Sequence, residues 1–279
     1  DTVLLVTGYR ADDEGENLTS NRKPVANPKV PRGGDRATLQ LCEQQQQLIA
    51  AVCDANRNTV VAVVAGSAVM MNHWQHKPAA ILFTGYPGMA GGTALANLLF
   101  CDVNPSGKLP FTIPAYDTQL PPFDRWSATA RYDYFHGYAL VDHLQQQPAF
   151  AFGFGLSYTI FACSAPQTCS AQYGSDATVN ITVTVRNTGT RSGAEVLQCY
   201  IGHASPAVQP APLKKLCAFA KVLLVAGEQR EVTLQVPVQQ LARYDSATRR
   251  WYVEPGEYHV WTGSSSRAAD LQMTRITVG

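Results

Sequence analysis

The stretch that decides the fold runs from residue 80 to residue 114 and reads AILFTGYPGMAGGTALANLLFCDVNPSGKLPFTIP. It opens with four apolar residues, Ala80 to Phe83, which are typical of a strand buried on both faces. A turn rich in glycine and proline follows, then a short apolar helix, and the stretch ends at Pro114. A buried strand that passes through a tight turn into a helix is typical of a parallel α/β sheet.

The residues before this stretch extend the same pattern. Apolar runs lie at residues 3–6 and 59–65. Between them, residues 39–55 place Leu41, Leu48, Ile49 and Val52 on one helical face, opposite four consecutive glutamines. Strand, crossover helix and strand predict a parallel sheet. We therefore predict an open, mostly parallel α/β sheet domain, a partial α/β sandwich, over residues 1–115.

From residue 177 the apolar period changes to two. Val179, Ile181, Val183 and Val185 alternate with polar residues, and the run ends at the turn signal NTG of residues 187–189. Further short strands are predicted at residues 196–201, 231–236, 251–253 and 258–262, with turns at 226–228 and 254–257. Short strands at regular turn spacing predict an all-β sandwich over residues 176–279.

Charge and hydropathy limit the classes of partner. The 279 residues carry 22 basic and 21 acidic side chains, without a run of lysine and arginine. Neither nucleic acid nor an anionic membrane is therefore expected as a partner, whereas a neutral sugar fits this balance. No apolar run approaches the ~20 residues of a spanning helix, so we expect no membrane crossing.

Cysteine and histidine spacing argues against cofactors. The seven cysteines are an odd number without a C-x-x-C pair, which favours buried thiols over a disulfide framework or a zinc site. Cys163 and Cys169 are the pair expected to bridge in an oxidising compartment. His73 and His76 have no third ligand at useful spacing, so no metal is expected. The glycines of the 85–91 turn do not form a G-x-G-x-x-G motif, so no dinucleotide cofactor is expected.

The loop after the first strand carries most of the residues suited to chemistry. It reads YRADDEGEN at residues 9–17 and RGGDR at residues 32–36. A loop at the carboxyl end of a parallel strand is where open α/β sheets bind ligands. The four carboxylates within residues 12–16 repel one another, which raises the pKa of any that is also desolvated, as a general acid requires. An acidic surface loop explains the same composition, so both interpretations stay open.

A second candidate segment joins the two predicted domains at residues 116–175. It contains YDYFHGY at residues 132–138. Aromatic faces stack on the C–H groups of a pyranose while polar tips bind hydroxyls, so Tyr132, His136 and Tyr138 are candidate substrate-binding residues. The alternative is that this segment only connects and packs the two domains.

Several motifs together resemble one family. The 80–114 stretch, FGFGLSY at 152–158, NTGTRSGAEV at 187–196 and PGEY at 255–258 resemble the C-terminal half of family 3 glycoside hydrolases, the β-glucosidase and β-xylosidase family. The last two motifs are similar to the fibronectin type III-like domain that ends many of these enzymes. The resemblance implies a retaining mechanism with two carboxyl groups. It also implies that the nucleophilic aspartate lies on an N-terminal (β/α)8 barrel, in the same or a companion chain.

The same resemblance implies roles for the carboxylates of the loop. The family commonly places its acid/base glutamate before a glycine and upstream of an Asp-Arg pair. Glu14 precedes Gly15 and is the first choice, while Glu16 precedes Asn17 and is the second. Asp35 and Arg36 resemble the end of the motif and are expected to anchor the loop. The insertion between residues 17 and 32 departs from the compact Glu-Gly-x-Asp-Arg form.

The expected function is therefore the C-terminal part of a retaining β-glycosidase, most similar to a β-glucosidase, that supplies the general acid/base. Its expected partners are a β-glucoside or oligosaccharide substrate and the barrel, and a homo-oligomer is possible. The alternative is a non-catalytic module that binds carbohydrate or protein. The family slightly favours a secreted or periplasmic location, and a cytoplasmic one stays open.

Overall fold

The computed structural model describes residues 1–9, 36, 38–124, 127, 129, 131–207 and 210–279. They form two compact units. The first comprises Asp1–Asn97 and Ile113–Asp133, and the second comprises Leu98–Thr112 and Tyr134–Gly279. The sequence-based domain bounds, 1–115, 116–175 and 176–279, stay a prediction.

The first unit contains a three-stranded parallel sheet in the order β1 (Val3–Gly8), β2 (Thr59–Val64) and β3 (Ala80–Phe83). The crossover from β1 to β2 contains helix α1 (Glu43–Ala55), and helix α2 (Gly91–Leu99) follows β3. Helix α1 buries Ile49 and Cys53, while β2 buries Val61, Ala62 and Val63 because it is the central strand. The predicted parallel α/β sheet is confirmed.

Helix α1 begins later than the sequence predicts. Its first residue is Glu43, after Cys42 in extended backbone, rather than Leu39. The residues before it pair elsewhere, since Gln40 forms a parallel bridge with Met70. The amide of Met70 donates to the carbonyl oxygen of Leu39 at 2.8 Å. Backbone pairing therefore replaces the first predicted helical turn.

The second unit is a β-sandwich built from two sheets. One sheet has the order β10 (Gln229–Pro237), β7 (Thr178–Asn187) and β4 (Phe161–Cys163), with β5 (Gln167–Thr168) also on β7. The other has the order β6 (Gln172–Tyr173), β14 (Leu271–Val278), β13 (Gly256–Gly263), β8 (Gly193–His203) and β9 (Lys215–Leu224). A separate ribbon consists of β11 (Arg243–Asp245) and β12 (Arg250–Tyr252).

The core of the sandwich lies between the inward faces of its two sheets. Its buried members include the alternating residues predicted from the sequence, Val179, Ile181, Val183 and Val185. The all-β prediction is confirmed. Helix α3 (Gly137–His143) also belongs to this unit and lies in the segment predicted to join the domains.

All seven cysteines fall among the described residues, and each carries a free thiol. The expected bridge between Cys163 and Cys169 does not form in the structure. Instead, the sulfur of Cys169 lies 3.6 Å from the hydroxyl of Tyr173. Burial raises the pKa of the Cys163 thiol to about 11. Among the helices that the structure describes, none is long and apolar enough to cross a membrane.

Candidate functional site

Backbone geometry at the end of β1 determines how the chain enters the candidate loop. Gly8 has φ +149°, and a Cβ atom there would lie 1.9 Å from the carbonyl oxygen of Val64. Only glycine fits this close approach. The carbonyl oxygen of Gly8 accepts a hydrogen bond from Gln45 at 2.8 Å, and the amide of Tyr9 donates to Val64 at 3.0 Å. Strand β1 thus delivers Tyr9 to the carboxyl edge of the sheet, beside the end of β2.

The two residues that flank the loop, Tyr9 and Arg36, contact each other. The guanidinium carbon of Arg36 lies 3.8 Å from the centroid of the Tyr9 ring, a cation–π distance. Arg36 also donates a hydrogen bond to the hydroxyl of Ser67, beyond the end of β2. The Tyr9 hydroxyl donates to the carbonyl oxygen of Leu39 at 2.7 Å. These contacts hold both flanks of residues 10–35 at one place on the sheet edge.

Three of the predicted site residues, Glu14, Glu16 and Asp35, lie outside the described residues. Their assignments therefore stay predictions. Arg36 is described and contacts Tyr9 and Ser67, and its role as a loop anchor stays a prediction.

Two side chains at this edge, Ser67 and Tyr86, are not among the site residues predicted from the sequence. Ser67 follows β2 and accepts the hydrogen bond from Arg36. Tyr86 follows β3 and is exposed. A Cβ atom at Gly66 would lie 2.5 Å from its ring, so glycine there allows the ring to approach the backbone. The sequence could have indicated both residues, because the carboxyl ends of β2 and β3 lie at the same ligand-binding edge of the sheet as that of β1.

The three predicted substrate-binding residues are divided between the units. Tyr132 is an exposed residue of the first unit. His136 and Tyr138 belong to the second unit, where His136 is the exposed residue that precedes helix α3. The structure thus brings His136 and Tyr138 together at one helix end. The role of all three in substrate binding stays a prediction.

Tyr138 makes its contacts within the second unit. Its ring lies 5.3 Å from that of Phe152 and 5.8 Å from that of Tyr200, measured between centroids. The Tyr138 hydroxyl accepts a hydrogen bond from the amide of Leu216 at 3.1 Å. Burial raises the pKa of the Tyr138 hydroxyl. These contacts stabilise the packing of helix α3 against β8 and β9.

Asn104, a residue of the 80–114 motif, forms hydrogen bonds within the second unit. The amide nitrogen of the Asn104 side chain donates to the carbonyl oxygen of Ser192 at 2.9 Å. Its side-chain oxygen accepts from the Ser157 hydroxyl at 2.9 Å and from the Tyr158 amide at 2.8 Å. The motifs at 80–114 and 152–158 therefore meet at Asn104, which satisfies backbone and side-chain groups of the sandwich.

Lys108 adds an ion pair to the same arrangement. Its Nζ atom lies 2.7 Å from Oε1 of Glu195 on β8, and it donates to the carbonyl oxygen of Gly155 at 3.0 Å. The two charged side chains are only 12% and 10% exposed. Removal of either partner of a pair desolvated to this extent leaves an unpaired charge in the interior, which destabilises the fold.

Within the described residues, no group of three or more histidine, cysteine, aspartate and glutamate side chains is arranged to hold a metal ion. The described edge of the sheet instead offers hydroxyl groups, a guanidinium group and an exposed aromatic ring, at Ser67, Arg36 and Tyr86. Such groups bind neutral polar ligands by hydrogen bonds and ring stacking.

Comparison with known proteins identifies the family. The model of the glycosyl hydrolase family 3 C-terminal domain matches residues 1–158, and that of a fibronectin type III-like domain matches residues 195–266. The chain belongs to glycosyl hydrolase family 3. The resemblance that the sequence motifs predict is thereby confirmed.

Family 3 relatives cover the chain from end to end. A β-glucosidase of Bacteroides ovatus is 36% identical over 84% of this chain and 32% of its own length. A xylan 1,4-β-xylosidase of Xylanibacter ruminicola is 32% identical over 99% of this chain and 30% of its own length. The crystal structure of a β-glucosidase from Bifidobacterium adolescentis matches the whole chain and 39% of its own, with 33% identity and a TM-score of 0.84. The chain thus spans about a third of these family 3 relatives.

Proposed function

We propose that this chain is the C-terminal part of a retaining β-glycosidase, of β-glucosidase specificity, and that it supplies the general acid/base. Glu14 is the proposed acid/base and Glu16 the second choice. The nucleophilic aspartate is proposed to lie on an N-terminal (β/α)8 barrel, in the same or a companion chain. The relatives named β-glucosidase and β-xylosidase support a glycosidase role for the family 3 chain.

The observation that carries the proposal is the contact between Tyr9 and Arg36, the two described residues that flank residues 10–35 in the sequence. Tyr9 directly follows β1, at the carboxyl edge of the parallel sheet. This edge is the general ligand-binding position of open α/β sheets. The Arg36 guanidinium, held by the ring of Tyr9 and the hydroxyl of Ser67, adds a fixed positive charge at the base of the loop.

The proposed chemistry assigns one proton transfer to each half of the reaction. Glu14 in its protonated form donates a proton to the leaving oxygen while the aspartate attacks the anomeric carbon. The Glu14 carboxylate then removes a proton from the water that hydrolyses the glycosyl-enzyme. Repulsion from neighbouring carboxylates in residues 12–16 raises the pKa of a desolvated glutamate, which favours the protonated form needed first.

Glu14→Gln in the full-length protein tests this assignment. Substrates with good leaving groups need little protonation, so dinitrophenyl glycosides are expected to keep far more activity than alkyl glycosides or disaccharides. Without its base, the glycosyl-enzyme accumulates. Added azide, which needs no deprotonation, is then expected to restore turnover.

Glu16→Gln is the matched control, because it removes the same charge two residues away. It is expected to retain activity on both substrate types and to show no azide rescue. Rescue of Glu16→Gln alone would move the assignment to Glu16. Rescue of neither variant would place the acid/base outside this loop.

A further inference from the structure

The ribbon formed by β11 and β12 carries an aromatic pair on its outer face. The antiparallel register places Tyr244 directly opposite Trp251. Their ring centroids lie 5.5 Å apart with an interplanar angle of 63°. Tyr244 is 47% exposed and Trp251 is 69% exposed. A tryptophan that serves only packing rarely exposes two thirds of its surface to water.

The opposite face of the ribbon holds it in place. The guanidinium carbon of Arg243 lies 4.9 Å from the centroid of the Tyr252 ring, and the same side chain forms an ion pair with Glu254 at 2.9 Å. At the base of the ribbon, Leu241 and Val253 pack against the sandwich core. The aromatic pair is thus fixed by the register and by the other face, rather than by its own burial.

The tip of the ribbon is ordered by Asp245. Its carboxylate accepts hydrogen bonds from the amide of Ala247 at 2.9 Å and from the hydroxyl of Thr248 at 2.7 Å. Arg249 follows with φ +55°, and both Arg249 and Arg250 are exposed. The ribbon therefore presents two rings with cationic hydrogen-bond donors close by in the sequence.

The exposed area of the two rings indicates which kind of ligand they can bind. An aromatic side chain buries about 150–250 Å² when covered, so rings exposed to this degree offer roughly 200–300 Å². A stable protein interface needs about 800 Å² from each partner. The two rings by themselves offer about a third of that area, and their size matches one or two sugar rings. The axial C–H face of a β-linked pyranose fits the flat face of an indole, and its hydroxyls accept hydrogen bonds from arginine.

We propose that Tyr244 and Trp251 form a saccharide-binding platform for β-linked oligosaccharides, with Trp251 as the stacking residue. This site belongs to the second unit and uses none of the residues proposed for acid/base chemistry. Its function is to retain a polysaccharide chain on the protein without acting on it.

The test measures retention of the full-length protein by a soluble β-glucan and a soluble xylan, using affinity electrophoresis. Trp251→Ala is expected to weaken retention by at least about tenfold in Kd, or ~1.4 kcal/mol. Tyr244→Ala is expected to weaken it less, because Tyr244 supports the indole by an edge contact. Neither substitution is expected to change turnover of a small aryl glycoside. Loss of the contact between the two rings is expected to lower the melting temperature only slightly.

Phe219→Ala is the matched control, because Phe219 is a 67% exposed aromatic residue of the same unit, on β9. It is expected to keep full retention. Unchanged retention in Trp251→Ala, equal loss in Phe219→Ala, or no retention of the unaltered protein would each overturn the proposal. A change from dimer to monomer in Trp251→Ala, measured by sedimentation, would overturn it in favour of a protein interface. Retention needs no turnover, so this outcome is independent of the proposed glycosidase activity.

Discussion

The two units bury their apolar residues to different extents. In the second unit two sheets face each other, and Leu197 on β8 is completely buried. In the first unit β1 is an edge strand of a three-stranded sheet, and its Leu4 is 42% exposed while Val6 is also exposed. A sandwich closes its own core, whereas a parallel sheet requires cover on both faces. The sandwich of the second unit therefore encloses a core between its own sheets, while β1 of the first unit leaves Leu4 and Val6 uncovered within the described chain.

The units also use their polar motif residues differently. At the sheet edge of the first unit, Arg36 and Ser67 bind each other beside the ends of the candidate loop. In the second unit, Asn104 and Lys108 bind backbone carbonyls and a carboxylate within the fold. Motifs that carry a family resemblance thus include residues that stabilise the fold as well as candidates for chemistry.

The largest expected effect comes from breaking the ion pair of the second unit. Lys108→Met leaves Glu195 as a nearly buried charge without its partner, and is expected to lower the free energy of unfolding by about 3–5 kcal/mol. Denaturant titration measures the loss. Lys77→Met in the first unit is the control, because its pair with Asp54 is 28% and 68% exposed, and it is expected to cost less than about 1 kcal/mol. Equal losses would mean that burial does not distinguish the two pairs.

A leucine in each unit tests the difference in core closure. Leu197→Ala is expected to cost about 2–5 kcal/mol, since it opens a cavity in a closed core. Leu4→Ala is expected to cost roughly half as much or less, because part of its side chain is already in water. Both losses are measured by denaturant titration at two protein concentrations. A loss at Leu4 that equals the loss at Leu197 and grows with concentration would indicate that self-association covers β1.

In the sandwich, the sequence predicts a strand correctly where one face of the strand is buried and the other face is polar. Strand β7 is such a case, because Val179 to Val185 alternate with polar residues and face the core. Strand β9 was not predicted, because Phe219 and Leu223 on its solvent side are apolar and remove the alternation. Period-based prediction fails where the exposed face is itself apolar.

The described part of the candidate site was harder to predict than the fold. Ser67 and Tyr86 are 19 residues apart in the sequence, and parallel pairing of β2 and β3 brings their strand ends to one edge. Whether two strand ends lie side by side depends on the strand order and on the register, and a single sequence specifies neither directly. Glu14 was selected by the family motif rather than by geometry, so its test remains the Gln variant.

A smaller effect is expected at Tyr138, where packing and substrate binding are alternatives. Tyr138→Phe keeps the ring contacts with Phe152 and Tyr200 and removes only the oxygen that accepts from Leu216. The expected loss is about 1 kcal/mol in the free energy of unfolding, with an unchanged KM in the full-length protein. A raised KM together with an unchanged stability would instead assign the hydroxyl to the substrate.

The smallest effects concern acid pH and compare two carboxyl groups of the second unit. Burial raises the pKa of Asp142, although the ammonium of Lys214 lies 2.5 Å away and opposes the shift. Burial also acts to raise the pKa of Asp270, but hydrogen bonds from Arg267 and Ser265 outweigh it and leave that pKa lowered. The two groups should therefore change stability with pH in opposite directions.

The signs follow from which state binds more protons. For Asp270, the unfolded state holds more protons below its pKa of about 3.9, so the stabilisation is present above that pH and is lost as pH falls through the lower folded pKa. For Asp142, the folded state holds more protons, so its contribution to stability falls as pH rises from about 3.9 through the raised folded pKa.

Asp270→Asn is expected to destabilise more at pH 7 than at pH 3, whereas Asp142→Asn is expected to destabilise more at pH 3 than at pH 7. Only this pH dependence is compared, because removing the partner of Lys214 adds a cost that is constant over the range. Parallel pH profiles of unfolding free energy for the two variants would contradict the opposite shifts.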